Sequence, residues 1–179
     1  MSYYKLIFTG PTGAGKSTAI AALSDIPVVL TEEKSSERNP NNIYKKTVTV
    51  ALDYGMIHLN NEKIHLYGTP GQERFNFMWE ILTEGGIGLV LLIDNARTDP
   101  LGDMWFFLKA FKSFIDKTKV VVGVTRMDIN ATPRIADYHT KLREIGLNIP
   151  VFDVDARRKR DVSLLLQSLL YSLDPGLNT

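Results

Sequence analysis

Gly10-Pro11-Thr12-Gly13-Ala14-Gly15-Lys16-Ser17-Thr18 fits the pattern G-x-x-x-x-G-K-[ST] of a phosphate-binding loop. A polyphosphate needs several backbone N–H groups aimed at it, and a glycine-rich turn lets the backbone come that close. Gly10, Gly13 and Gly15 supply the turn, with Thr12, Ala14 and Thr18 completing the cradle. Lys16 brings an ammonium to the β- and γ-phosphates, and the Ser17 hydroxyl is the expected ligand for Mg²⁺. Residues 3–9 form a short β-rich run and residues 17–23 contain good helix formers. The loop therefore lies between a strand and the N-terminus of a helix, whose dipole favours anions.

Around this loop the composition is ordinary. The chain has 179 residues, 44 % of them hydrophobic and 23 % charged, which suits one domain, 1–179, with a substantial core. A formal net charge of +1 gives no basis for bulk attraction to nucleic acid or membrane. The absence of cysteine removes thiol catalysis, thiolate metal sites, prenylation and palmitoylation, and Ser2 stands where myristoylation needs glycine. With no signal-peptide pattern and no apolar run long enough to span a bilayer, a cytoplasmic protein without a direct membrane anchor is expected.

Further along, residues 26–30 are apolar and residues 31–42 are polar and rich in turn formers, which predicts the largest surface loop of the chain. Residues 47–57 and 63–67 have strand character about a turn at Asn60-Asn61, expected to be the one antiparallel pair. Residues 87–93 are apolar without alternation, as in a strand covered on both faces, and stop at Asp94. A helix over 101–116 and a second buried strand over 119–124 follow. The next helix is predicted from about Thr132-Pro133 to before Gly146, then a strand over 150–154 and a helix over 162–173. Strands alternating with helices predict an α/β doubly wound sheet.

The order of the phosphate loop, a polar loop with Thr47, Gly68-Thr69-Pro70-Gly71-Gln72-Glu73, Thr125-Arg126-Met127-Asp128 and Asp155-Ala156-Arg157 resembles the small Ras-like GTPases over essentially the whole chain. KKTVTVALDYG at 45–55 and LYGTPGQERFNFMW at 66–79 look like the bacterial branch related to the polarity GTPase MglA. The resemblance implies the P-loop G-protein fold, with a central, mostly parallel six-stranded sheet and helices on both faces. It gives Thr47, or else Thr49, the part of the switch threonine touching Mg²⁺ and the γ-phosphate. Gly71 would offer its N–H to that phosphate, and Gln72 would orient the attacking water.

Gly68 stands where the family has the aspartate that holds Mg²⁺ through water. Asp94, at the end of a buried strand, is expected to supply the missing carboxylate, with Asp53 as the alternative. Asp128 keeps the carboxylate that accepts from guanine N1–H and the exocyclic amine. Thr125 and Arg126 replace the usual Asn and Lys, and the Arg126 guanidinium could stack on the base. Ala156 would offer its N–H to guanine O6, beside Arg157. Arg38 and Arg74 are the candidates for an arginine acting in cis, Arg38 being the one assigned to catalysis with Lys16 and Gln72. The apolar Phe75, Phe77, Met78 and Trp79 either mark an interaction surface or pack beneath the second switch.

These implications describe a GTP/GDP-binding, Mg²⁺-dependent switch that hydrolyses GTP slowly with activator help and signals through residues 31–47 and 68–86. A small roadblock-type regulator and an effector are the implied partners. The alternatives are a binding module without useful hydrolysis and an ATP-binding P-loop protein, the latter allowed by Thr125.

Overall fold

The computed structural model describes residues 4–36, 47–59 and 61–173, with side chains described except at 30–36 and 47–51; Arg38 therefore lies outside the described residues. Strand β1 (Tyr4–Thr9) is followed by helix α1 (Lys16–Leu23), β2 (Val29–Ser36), β3 (Thr47–Leu59) and β4 (Glu62–Gly68). A 3₁₀ turn (Glu73–Phe75) leads into α2 (Asn76–Thr83). Then come β5 (Gly88–Asp94), α3 (Pro100–Ala110), α4 (Lys112–Ile115), β6 (Lys119–Thr125), α5 (Ile135–Glu144), β7 (Val151–Asp153) and α6 (Lys159–Leu173). None of these helices is long and apolar enough to cross a membrane.

The strands form one sheet in the order β2-β3-β4-β1-β5-β6-β7. Its four pairings between β4 and β7 are parallel, and β2-β3 and β3-β4 are antiparallel. This is the expected α/β, mostly parallel architecture with one correction: the sheet has seven strands rather than six, and two antiparallel pairs rather than one. Residues 31–36, read as loop from their polarity, pair with residues 47–52. An edge strand can carry Thr, Glu, Lys and Ser because one side of it stays open to water, and charge there discourages edge-to-edge association.

Period-two alternation divides the core. Leu6, Phe8, Val90, Leu92 and Val121 face α1 and α6, while Ile7, Leu89, Leu91, Ile93, Val120 and Val122 face α2, α3 and α5. Helices thus cover both faces, which is why β5 and β6 read as continuous apolar runs. The helix predicted over 101–116 is broken at Phe111 into α3 and α4. Helix α5 begins beyond Pro133 because Arg134 is its cap, with its N–H donating to Asp137 Oδ2 at 2.7 Å. From β1 the chain first builds β2–β4 on one side and then β5–β7 on the other. The loop after β1 therefore sits at the switch point of the sheet, where open α/β folds hold ligands.

Candidate functional site

Residues 10–15 connect β1 to α1 with Gly10, Gly13 and Gly15 all at positive φ. Two of these positions admit no side chain for a further reason. A Cβ on Gly10 would fall 2.0 Å from Leu92 O, and one on Gly15 would fall 2.9 Å from Ala156 Cβ. The loop is thus pressed against β5 on one side and the segment after β7 on the other. Helix α1 has no side-chain cap and no acidic residue in its first turn, leaving its terminal N–H groups and dipole for an anion.

Lys16 is buried, and its Nζ donates to Gly10 O and Pro11 O at 2.8 Å each. Burial pulls the ammonium down to about 8, offset in part by Asp53 and assisted by Arg97. A polyphosphate beside it favours the charged form, so binding takes up a proton where Lys16 is otherwise neutral. The Lys16 contribution to polyphosphate affinity would therefore be full well below pH 8 and decline as the pH rises through it. Nucleotide Kd is expected to rise about tenfold between pH 7 and pH 9, and the Lys16→Met profile to be flat, as measured by titration at fixed ionic strength.

On the other side of the loop, Ser17 Oγ donates to Asp53 Oδ2 at 2.5 Å. Thr47 is the first residue of β3, paired with Ser36, and Thr49 pairs with Lys34; their side chains lie outside the described set. A Cβ on Gly71 would meet Thr12 N at 2.5 Å and Lys16 Nζ at 2.8 Å, so its backbone lies directly over the phosphate loop. Thr69 Oγ1 donates to Thr9 Oγ1 at 2.8 Å and Trp79 Nε1 to Pro70 O at 3.0 Å, which anchors this segment to the sheet and to α2. Gln72 is exposed at the start of the 3₁₀ turn. Arg74 lies over the Phe75 ring, 4.8 Å from its centroid, rather than toward the loop. Of the apolar residues here, Phe75, Met78 and Trp79 are buried and Phe77 is exposed, so most of the cluster packs under the segment.

Thr125, Arg126, Asp128, Ala156 and Arg157 line one cavity of about 620 Å³ together with Gly13, Ala14, Gly15 and Thr18. That volume suits a nucleoside. Thr125 Oγ1 lies within hydrogen-bond distance of Ala14 O (3.1 Å) and Ile93 O (3.2 Å), tying the end of β6 to the phosphate loop. Asp128 is exposed and its carboxylate accepts no hydrogen bond among the described residues. A larger cavity of about 840 Å³ lies between α2 and α3–α4, walled by Trp79, Phe106 and Phe111 and edged by Glu73, Glu80 and Glu84. It touches no residue of the phosphate loop.

One expectation is corrected here. Asp94 is buried and is the partner of Arg126 Nη1, while its Oδ1 accepts from Ala96 N at 2.9 Å. Its carboxylate is therefore committed to the base-side loop and does not replace the residue missing at 68. The same pairing holds the Arg126 guanidinium on Asp94 at the wall of the cavity that Arg126 lines. Arg157 is likewise engaged, donating from Nε (2.9 Å) and Nη2 (2.8 Å) to Asp155. These bonds hold the Asp155 carboxyl well below the usual carboxylate range.

One residue escaped the sequence reading. Asn95 is fully buried; its Nδ2 donates to Asn130 O (2.6 Å) and Pro133 O (3.0 Å), and its Oδ1 accepts from Tyr138 O–H at 2.6 Å. It braces the whole 126–134 loop. The available signal was a polar residue directly after seven buried strand positions, where a side chain must find partners or not be there.

A family model described as "Conserved hypothetical ATP binding protein" matches residues 22–173. The chain belongs to this family. The match begins after the phosphate loop and includes the base-side segments. The chain is also 30 % identical to the uncharacterized protein MJ1339 of Methanocaldococcus jannaschii over 52 % of each chain, so this match spans about half of that relative. It is 25 % identical to the Ras-related protein Rab-1C of Dictyostelium discoideum, covering 86 % of this chain and 72 % of Rab-1C. To GTPase Era of a Nocardioides species it is 28 % identical, over 94 % of this chain and 54 % of Era. The fold is that of the P-loop small G proteins, and the similarity reaches no single branch of them.

Proposed function

We propose that this protein is a GTP/GDP-binding switch that hydrolyses GTP slowly and is read by partners through residues 31–47 and 68–86. The observation that carries the reading is Asp128: an exposed carboxylate that accepts no hydrogen bond among the described residues, on the wall of the cavity shared with Gly13–Gly15. Guanine offers N1–H and an exocyclic amine to such an acceptor, and adenine does not. Ala156, whose Cβ lies beside Gly15, would offer its backbone N–H to O6. Lys16 and the α1 N-terminus take the phosphates, Gly71 lies where a γ-phosphate would be felt, and Gln72 orients the attacking water.

The oxygen donors present fit a hard divalent ion, since a hydroxyl and a carboxylate already meet at Ser17. No three acidic or histidine side chains converge among the described residues, so the ion would depend on the nucleotide's own oxygens. Ser17 and Thr47 would hold Mg²⁺, which when bound neutralises charge on the β- and γ-phosphates. Arg38 is the proposed arginine in cis. Hydrolysis on this scaffold is slow without such a group, so a roadblock-type activator and a separate effector complete the proposal, in keeping with the resemblance to the MglA-related branch.

A second reading, ATP binding, has the family's own description in its favour, together with Thr125 in place of the usual asparagine. Denaturing the purified protein, identifying the released nucleotide and following multiple-turnover phosphate release from GTP and ATP separates the readings. Release from GTP alone, reduced about 10²-fold or more in Gln72→Ala, is the expected result. Binding of GTP without turnover under any condition would leave a switchless binding module, and turnover of ATP alone would replace the base assignment.

A further inference from the structure

The glycine at 68 and the aspartate at 53 are register partners on the antiparallel strands β4 and β3. Directly opposed residues on such strands project to the same face with Cβ atoms about 4.5–5.5 Å apart. Here the two positions compete for one space. A Cβ built on Gly68 would lie 2.9 Å from Asp53 Oδ2 and 3.0 Å from Asp53 Cβ. The room that a side chain at 68 would fill is therefore occupied by the Asp53 carboxylate.

That carboxylate is buried, 8 % exposed, and its one hydrogen bond among the described residues comes from Ser17 Oγ at 2.5 Å. A carboxylate has about four acceptor sites, and a buried anion with most of them unused is costly unless a cation shares the site. Lys16 interacts with it electrostatically, but that ammonium is itself held by Gly10 O and Pro11 O. Asp94, the other carboxylate near this edge of the sheet, is committed to Arg126.

We infer that Asp53 is the metal-positioning carboxylate of this protein, delivered from β3 across the strand pair because Gly68 leaves the space open. The inference rests on the Mg²⁺–guanine-nucleotide reading above. It assigns to Asp53 the task of orienting the divalent ion, or its water, against Ser17.

The test uses full-length protein loaded with a fluorescent GDP, and reads the Mg²⁺ concentration needed for half-maximal slowing of nucleotide release. Asp53→Asn keeps the size of the side chain and an acceptor for Ser17, so a purely structural tie would leave this concentration unchanged. The expected result is a rise of about 10–100-fold. The double variant Asp53→Gly/Gly68→Asp returns the carboxylate to the other strand and is expected to restore the parental requirement. An unchanged Mg²⁺ requirement in Asp53→Asn, with the parent responding to Mg²⁺, overturns this assignment and leaves the nucleotide reading standing. A parent whose release is insensitive to Mg²⁺ removes the assignment together with the metal reading on which it rests. The single variant decides the matter even if the double variant does not fold, and a thermal melt followed by circular dichroism monitors that.

Discussion

Asp128→Ala is expected to weaken GDP binding by about 10²–10⁴-fold while leaving ADP binding unchanged, erasing the preference between the bases. The magnitude follows from two hydrogen bonds to a charged acceptor at about 1.5–3 kcal/mol each, converted at 1.4 kcal/mol per decade. Among the described residues no hydrogen bond or ion pair engages this carboxylate: Arg126 is paired with Asp94, and Arg157, which Asp128 attracts electrostatically, is bonded to Asp155. The gain is therefore not offset by breaking an ion pair. Discrimination arises because the wrong base leaves the acceptor unpaired rather than because the right one is especially tightly packed. Inosine diphosphate, which keeps N1–H and lacks the exocyclic amine, should fall between GDP and ADP in the parent and match both in the variant. Titration calorimetry with the three diphosphates reads the order directly. A parent that binds ADP more tightly than GDP would transfer the cavity to adenine and make Asp128 a turn residue.

The parts of this site that were legible in the sequence are those in which backbone demands fix the residue type. Gly10 and Gly15 could be read because positive φ and contacts of 2.0 and 2.9 Å exclude every side chain. The strands β5 and β6 were legible because burial on both faces leaves only apolar residues. What the sequence hid was pairing in space. The polarity of residues 31–36 suits a loop and an edge strand equally, so β2 could not be told from its neighbourhood.

Asp94 was correctly placed at the ligand edge of the sheet, yet its partner depends on Arg126 adopting a φ of 59°, a conformation no sequence pattern signals for arginine. For Asp53 the deciding fact was register: only the opposition of residues 53 and 68 turns a missing aspartate on one strand into a present one on the next. Helix α6 begins at Lys159, three residues before the start expected at 162, because Lys159, Arg160 and Asp161 are exposed or half-buried and the first buried position is Val162.

Asn95→Ala is expected to cost about 3 kcal/mol of stability and, separately, to weaken guanine nucleotide binding. Its side chain satisfies three groups at once: the carbonyls of Asn130 and Pro133, and the Tyr138 hydroxyl. Loss of the amide affects these unequally. Asn130 and Pro133 are half-buried and can turn to water, whereas Tyr138 is fully buried and its hydroxyl has no such recourse. Burial first, and then Asp103 and Asp94, push that phenol far above its ordinary range, so it remains a donor that needs an acceptor. An orphaned buried donor costs about 1–3 kcal/mol, and the space left by the amide adds to it.

For a chain of this size the melting temperature should fall by roughly 6–12 °C. Adding Tyr138→Phe removes the orphaned hydroxyl, so the double variant should be less destabilised than the sum of the two single ones by about 1–2 kcal/mol; additive losses would mean that the bond contributes nothing. The functional effect has a different origin. Asn95 holds the 126–134 loop against the end of β5, and Asp128 is carried on that loop. Below the melting transition the variant should still bind GDP, with a faster off-rate and a smaller margin over ADP than the parent. Unchanged off-rates in a destabilised variant would confine Asn95 to the core and show that Asp128 is positioned by Thr125 and the phosphate loop alone.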